Sequence, residues 1–200
     1  MRLLIVTLVV LLVLSGCSPK DPKAQYSDLV RSERAKNIRV DSIFFGYYFG
    51  MPRKEFYEHS WELNRKKKVM DGVNNIFIVY GLRENQLKEP GSMNFFPEFH
   101  QERIFKMRAE FAYDAWAPWN KKMYADSLLP DVVDYFETWF PGGNPFLEIT
   151  DSVKGTIYVK VDGNRRIVIG RYDERIVKAD FTDLTVEDEI LKASRKNEAN

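Results

Sequence analysis

The residues of this chain that could bind a metal ion are concentrated in the segment PEFHQE, residues 97–102. Glu98, His100 and Glu102 alternate along it, so an extended strand would point all three side chains to one face. Two carboxylates and one imidazole can hold a divalent cation. The same spacing also describes a solvated strand edge, and Pro97 favours a loop at the start of the segment. We therefore predict that the chain needs no metal and no other cofactor.

Catalytic motifs are missing from the sequence. There is no glycine-rich phosphate loop, no Gly-x-Ser-x-Gly turn and no Ser-x-x-Lys pair. The second histidine, His59, falls inside a predicted helix, where a surface or partly packed position is expected. The acidic runs at residues 173–174 and 187–189 place carboxylates side by side, so they are expected to diverge into solvent. We predict no catalytic residue and favour a protein that is not an enzyme. The alternative is a hydrolase that combines dispersed carboxylates with His100.

Cys17 is the only cysteine in the chain, and its surroundings point to covalent attachment. Upstream of it lie one basic residue, Arg2, an apolar run over residues 3–14 and two small residues. A basic start, an apolar middle and a small-residue cleavage region make up an export signal. The apolar run is too short for a transmembrane helix, which needs roughly 20 residues. The sequence therefore predicts a cleaved signal rather than a permanent span.

The tetrapeptide Leu14-Ser15-Gly16-Cys17 resembles the lipobox of bacterial lipoproteins. The resemblance implies cleavage between Gly16 and Cys17, diacylation of the Cys17 thiol and often acylation of the new amine. It predicts a protein held by lipid on a cell-envelope membrane, specifically the outer membrane of a Gram-negative bacterium. Two or three acyl chains would hold it durably, because each buried methylene contributes about 0.8 kcal/mol. The alternative is an ordinary secretory signal with an incidental cysteine.

Length and charge limit the kinds of partner. Removal of residues 1–16 from the 200-residue chain leaves 184 residues, which suits one domain of ordinary size. Loss of Arg2 leaves equal numbers of basic and acidic residues, whereas proteins bound to nucleic-acid phosphates normally have a basic excess. We predict that nucleic acid is not a partner. The basic run at residues 65–68 is expected to end a helix, where cations meet the negative end of the dipole. The alternative is a surface for a membrane or a partner.

Composition divides the mature chain into three parts. Residues 17–39 are polar and charged with two early prolines, so we predict a lipidated tether there, with a short helical turn at most. Residues 40–184 are predicted to form one globular domain. Residues 185–200 are predicted to form a C-terminal helical turn and a frayed, charged tail.

Hydrophobic periodicity predicts the elements of the domain. In chain order they are a strand over 41–51, a helix over 52–65, strands over 74–82 and 103–119, a helix over 128–143, two strands within 156–172 around Asp162-Gly163, and a strand over 175–181. In the first helix Tyr57 and Trp61 lie beside the apolar stripe. In the second helix Pro130 is expected at the start. The strand over 103–119 shows the clearest alternation, with these residues on its apolar face: Phe105, Met107, Ala109, Phe111, Tyr113 and Ala115.

The order of these elements predicts an α+β fold, in which an antiparallel sheet is covered by two main amphipathic helices in a single domain. Phe49-Gly50-Met51 before a helix, followed by antiparallel strands, resembles the layout of small outer-membrane assembly lipoproteins and of β-lactamase inhibitor protein. The body of the chain also resembles uncharacterised lipoproteins of the Bacteroidota. These resemblances imply no functional residue.

Aromatic residues provide the candidates for a binding surface. Phe95-Phe96-Pro97 and the segment AWAPW, residues 115–119, lie near predicted turns, where exposed rings could anchor a partner. The alternative is core packing, which is the expected role of most of these aromatic residues. We therefore predict an envelope protein that binds or scaffolds, with a protein or small-ligand partner at an aromatic surface and a membrane contact through the lipid on Cys17.

Replacement of Cys17 tests the predicted anchor. The Cys17→Ala chain should incorporate no labelled palmitate and should leave the membrane fraction, because no other thiol is present to accept an acyl chain. Metabolic labelling followed by membrane fractionation measures both effects. Palmitate incorporation into the Cys17→Ala chain would place the anchor elsewhere.

Overall fold

The computed structural model describes residues 21–72, 76–83, 85–151 and 155–198. The predicted signal peptide, residues 1–16, and the predicted lipidation site Cys17 lie outside these residues. The helices of the described part are α1 (Pro22–Ala35), α2 (Arg53–Arg65), α3 (Ala125–Trp139) and α4 (Leu184–Glu198). Its strands are β1 (Met70–Asp71), β2 (Ile78–Leu82), β3 (Gly91–His100), β4 (Arg103–Tyr113), β5 (Leu147–Asp151), β6 (Gly155–Asp162), β7 (Arg165–Arg171) and β8 (Val177–Asp183).

The eight strands of the described residues form one sheet in the order β1-β2-β3-β4-β8-β7-β6-β5. Every neighbouring pair is antiparallel. The sheet therefore consists of two four-stranded meanders, which the pairing of β4 with β8 joins. Asp162 pairs with Arg165, so the hairpin predicted around Gly163 is confirmed. The predicted fold class, α+β with an antiparallel sheet, is confirmed as well.

One face of the sheet forms the main core. Phe95, Ala109, Ala179 and Ile169 lie in register across β3, β4, β8 and β7, and all four are fully buried. Helices α2 and α3 cover this face, since the buried side chains of both helices join the same cluster. These are the two amphipathic helices that the sequence predicted.

Helix α3 begins before its predicted start at residue 128. The Ala125 N–H donates a hydrogen bond to the Glu174 carbonyl at 2.8 Å, so a contact with the β7–β8 loop holds the first residue of the helix. Pro130 consequently lies inside the helix instead of at its start, which corrects the sequence prediction. Proline is favoured at the first helical position but does not have to mark it.

Residues 41–51 do not form the predicted strand. Phe45 and Gly46 both have positive φ angles, of 51° and 85°, and reverse the chain in a tight turn. A single bridge, between Ser42 and Tyr48, is the only strand-like pairing of this segment with itself among the described residues. The turn directs most of its apolar side chains into the main core: Ile43, Phe44, Tyr47, Phe49 and Met51. Strand alternation would have placed Phe44 on the face opposite the other four.

Residues 22–35 of the predicted tether form a helix that packs on the sheet. Residues 22–35 form α1, and Tyr26, Leu29 and Val30 pack against Val159 and neighbouring residues on the face opposite the main core. Asp21 caps the helix by accepting a hydrogen bond from the Lys23 N–H at 3.4 Å. The globular part therefore includes residues 22–35 and does not begin at residue 40. The many charged residues of this segment made the single apolar stripe of the helix hard to recognise in the sequence.

Other element boundaries also differ from the prediction. Strand β4 ends at Tyr113, before the predicted end at residue 119, and Phe105 is only half-buried because the register with β3 shifts there. Strands β1, β3 and β5 were not predicted. Helix α4 replaces the predicted turn and frayed tail over most of residues 185–200, and the Asp183 carboxylate caps it by accepting from the Thr185 N–H at 2.9 Å.

Two phenylalanines test the packing between the sheet and α3. Phe111 of β4 and Phe136 of α3 are fully buried, with ring centroids 5.5 Å apart. Phe111→Ala or Phe136→Ala should each lower the free energy of unfolding by about 3–5 kcal/mol, because each leaves a large cavity. Denaturant titration measures the loss. The double variant should lose less than the two separate losses combined, since both removed rings touch the same space. A loss below about 1 kcal/mol for either single variant would contradict this packing.

Candidate functional site

An aromatic groove between α2 and the β2–β3 part of the sheet is the candidate binding site. It encloses a cavity of about 300 Å³. Its charged members are Arg53 and Asp71, and its other described lining residues are Phe56, Tyr57, Ser60, Trp61, Ile76, Phe77, Ile78, Phe95, Phe96, Pro97 and Phe99. A mainly apolar cavity with a few polar groups has the composition of a ligand site.

The rim of the groove has large apolar side chains that remain exposed. Trp61 is 64% exposed, Tyr57 is 57% exposed and Ile76 is 69% exposed. Tyr57 and Trp61 are four residues apart on α2, so they share one face of the helix. The buried residue Phe56 fixes that orientation, because it anchors the adjacent face of α2 in the core.

The floor of the groove is built from rings and one ion pair. The Phe56 and Phe99 ring centroids lie 5.9 Å apart, and the Arg53 guanidinium lies 4.0 Å from the centroid of Phe99. Arg53 also pairs with Glu102 at 2.6 Å, which holds the guanidinium over the ring. The charge of Arg53 is therefore already partly neutralised, and the groove presents mainly apolar surface.

The hydroxyl of Ser60 is fully engaged beneath the groove. It donates to the Phe56 carbonyl at 2.6 Å and accepts from the Tyr47 hydroxyl at 2.8 Å. Burial raises the pKa of Tyr47 to about 12, and the bond to Ser60 only partly opposes this effect. The Tyr47 hydroxyl therefore stays protonated at neutral pH. Ser60 has no neighbouring base among its hydrogen-bond partners in the described residues, so the arrangement lacks an activated nucleophile.

The triad of Glu98, His100 and Glu102 does not converge. Strand β3 ends at His100, and Glu102 lies in the turn to β4 with a positive φ angle of 59°, so it does not continue the alternation of Glu98 and His100. Glu98 pairs with Lys106 and Arg108, and Glu102 pairs with Arg53. The ring of His100 packs near Phe105, with centroids 6.3 Å apart. In the described residues no group of three or more His, Cys, Asp or Glu side chains is placed to hold a metal ion.

The remaining sequence candidates have structural contacts. The ring of His59 hydrogen-bonds through Nε2 to the Phe45 carbonyl at 2.7 Å and supports the tight turn there. Asp173 accepts from the backbone N–H groups of residues 175 and 176, which closes the β7–β8 loop. Glu187 and Asp188 form ion pairs with Arg166 and Arg34, respectively. The predicted Gly16–Cys17 cleavage site and the lipidation of Cys17 lie outside the described residues.

The two aromatic segments that the sequence singled out differ in exposure. Phe95, Phe96 and Pro97 all line the aromatic groove, but Phe95 is fully buried whereas Phe96 and Pro97 are half-buried. In the second segment Trp119 is 85% exposed but lies outside the groove, and Trp116 is half-buried beside Tyr124.

Sequence reasoning missed the main members of the groove rim. The signal was present, because Tyr57 and Trp61 occupy the helix face next to the stripe of Phe56, Ser60 and Leu63, a face that amphipathic packing leaves free. Ile76 could not be found in this way, since it follows β1 in a connecting segment whose position depends on the β1–β2 pairing.

Comparisons with known proteins give no relative. The chain matches no protein-family model, no curated protein and no solved structure. The resemblances to lipoproteins and to β-lactamase inhibitor protein therefore stay predictions. None of the helices that the structure describes has the length and apolar character needed to cross a bilayer.

Chelation tests whether the fold depends on a metal ion. Because Glu98 and Glu102 are committed to arginine and lysine partners, removal of divalent ions with EDTA should leave the thermal unfolding midpoint unchanged within error. Differential scanning fluorimetry measures the midpoint with and without EDTA. A fall of several degrees that one particular ion restores, and that is absent in His100→Ala, would show a metal site at this triad.

Proposed function

We propose that the protein is a lipid-anchored protein of a bacterial cell envelope that works as a non-catalytic binding module, with the aromatic groove as its binding site. The observation that carries the proposal is the exposure of Trp61, Tyr57 and Ile76 around one cavity. Exposed apolar side chains that stand singly are common on protein surfaces, but a contiguous group beside a cavity is typical of an interaction site.

The chemistry of the groove favours an apolar or aromatic ligand. The ring of Trp61 can pack on one side of such a group, while Phe99 and Phe56 supply the floor. A cavity of about 300 Å³ suits one aromatic side chain of a partner protein or one small molecule. Arg53 and Asp71 add one charge of each sign at the lining, so a polar substituent on the ligand could be oriented there.

The proposed location rests on the sequence around Cys17. A lipobox that follows an export signal supports acylation and attachment to the outer membrane of a Gram-negative bacterium. The described residues give the alternative hydrolase no support, because His100 contacts Phe105 rather than a carboxylate.

A dye that fluoresces in apolar surroundings tests the groove directly. The mature chain, residues 17–200 with Cys17→Ala to keep it out of membranes, should bind anilinonaphthalene sulfonate, and Trp61→Ala should weaken binding at least about tenfold. Tenfold corresponds to about 1.4 kcal/mol, the loss expected when a central aromatic contact is truncated. Fluorescence titration gives the dissociation constants.

The matched control for this test is Trp119→Ala. Trp119 is more exposed than Trp61 but does not line the groove, so its removal should change dye affinity less than twofold. Equal losses of dye affinity in Trp61→Ala and Trp119→Ala would mean that the dye binds exposed apolar surface in general. This result would contradict the groove as the binding site.

A further inference from the structure

The edge of strand β2 has a second cleft with a different lining. This β2-edge cleft has a volume of about 780 Å³ and lies between the segment Lys67–Met70 and the segment Val79–Arg83. None of the described residues lines both this cleft and the aromatic groove. The two sites can therefore be tested separately.

One wall of the cleft is the turn that ends α2. Lys67 has a positive φ angle of 55°, and its N–H donates to the Asn64 carbonyl at 2.7 Å. The Lys68 N–H donates to the Leu63 carbonyl at 3.0 Å, which completes a Schellman-type helix end. Residues 67–69 are consequently held by the helix end, and strand pairing begins only at Met70.

Strand β1 is too short to cover β2. It pairs with Ile78 and Val79 alone, so no described strand lies outside Tyr80–Leu82. The Gly72 N–H donates to the Phe77 carbonyl at 2.8 Å, and the alternation of an antiparallel ladder then turns the backbone groups of Val79 and Gly81 to the same outer edge. Gly81 is exposed, and a Cβ atom built on it would meet nothing within 4 Å. An unpaired edge of this kind is a template for another strand.

The charges at the cleft indicate the chemical character of the partner that it would bind. Lys67, Lys68 and Arg83 line it and are exposed, and they form no ion pair with the described residues. Asp114 is the carboxylate among the described lining residues. Extended peptides that add to a sheet edge gain affinity from backbone hydrogen bonds and specificity from their side chains. Acidic side chains would complement the three cations.

We propose that the β2-edge cleft binds an extended acidic segment of a partner protein, which adds to β2 as a new strand beside Gly81. The new strand continues the line of β1 along the edge. Its backbone pairs with the outer groups of Gly81, and its carboxylates meet Lys67, Lys68 and Arg83.

A labelled peptide of alternating valine and glutamate is the probe for this proposal. The full acylated chain in nanodiscs of zwitterionic lipid should bind it, as followed by fluorescence anisotropy. The double variant Lys67→Glu, Lys68→Glu should weaken binding at least tenfold. The matched control, Lys121→Glu with Lys122→Glu, reverses two exposed adjacent lysines outside the cleft and should change affinity less than twofold. Equal effects of the two reversals would overturn the proposal.

Two further peptides separate strand addition from simple charge attraction. Each is N-methylated on alternate residues, one on the valines and the other on the glutamates, so that each can donate backbone hydrogen bonds from one edge only. One of them should bind like the unmodified peptide and the other should lose at least tenfold. If both bind alike, or if neither binds, no strand is added. Self-association of the chain that the peptide does not displace, seen by analytical ultracentrifugation, would assign the edge to a second copy and also overturn the proposal.

Discussion

The ladder between β4 and β8 is the interaction on which the rest of the fold depends. It joins two meanders that are otherwise local, and it pairs residues from Lys106↔Thr182 to Phe111↔Val177. Side-chain contacts on both faces of the sheet fix the register between β4 and β8. On the core face apolar side chains meet α3, and on the other face Lys178 pairs with Glu110 at 3.1 Å. A slip by one residue would turn such charges into the core, so the two faces together specify one alignment.

A buried carboxylate fastens the N-terminal helix to this sheet. Glu33 of α1 accepts hydrogen bonds from the Gly163 N–H at 3.0 Å and from Asn144 Nδ2 at 2.8 Å, and it pairs with Lys36. Burial alone would raise the pKa of Glu33, but the bonds from Lys36, Gly163 and Asn144 outweigh it and hold the pKa below its ordinary value. Only glycine fits at residue 163, because its φ is positive and a Cβ atom would lie 2.3 Å from the Ile38 carbonyl oxygen.

Sequence patterns correctly predicted the elements that depend on neighbouring residues. They did not predict the elements whose structure depends on contacts with residues distant in the sequence. Alternation in β4 and the Asp162-Gly163 turn predicted strands correctly, because period and turn chemistry act over a few residues. The prediction of a strand over residues 41–51 was wrong, since the aromatic residues of this segment are buried by a turn that only tertiary contacts make favourable. Helix α1 was not predicted for a similar reason: Asn144 and Gly163, which bind Glu33, lie more than a hundred residues away from it. The aromatic groove needs α2, β2 and β3 together, so no single pattern could specify it.

The strand order separates the proposed anchor from the proposed binding sites. Helix α1 packs on β5 and β6 at one edge of the sheet, whereas both the aromatic groove and the β2-edge cleft include residues of β1 and β2 at the other edge. Seven strand spacings of about 4.8 Å correspond to roughly 34 Å. In the sequence Cys17 precedes the α1 cap Asp21 by four residues, which can span at most about 14 Å. An acylated Cys17 would thus keep α1 close to the bilayer and leave the opposite edge, with its exposed Trp61 and its lysines, a sheet width away from the point of attachment.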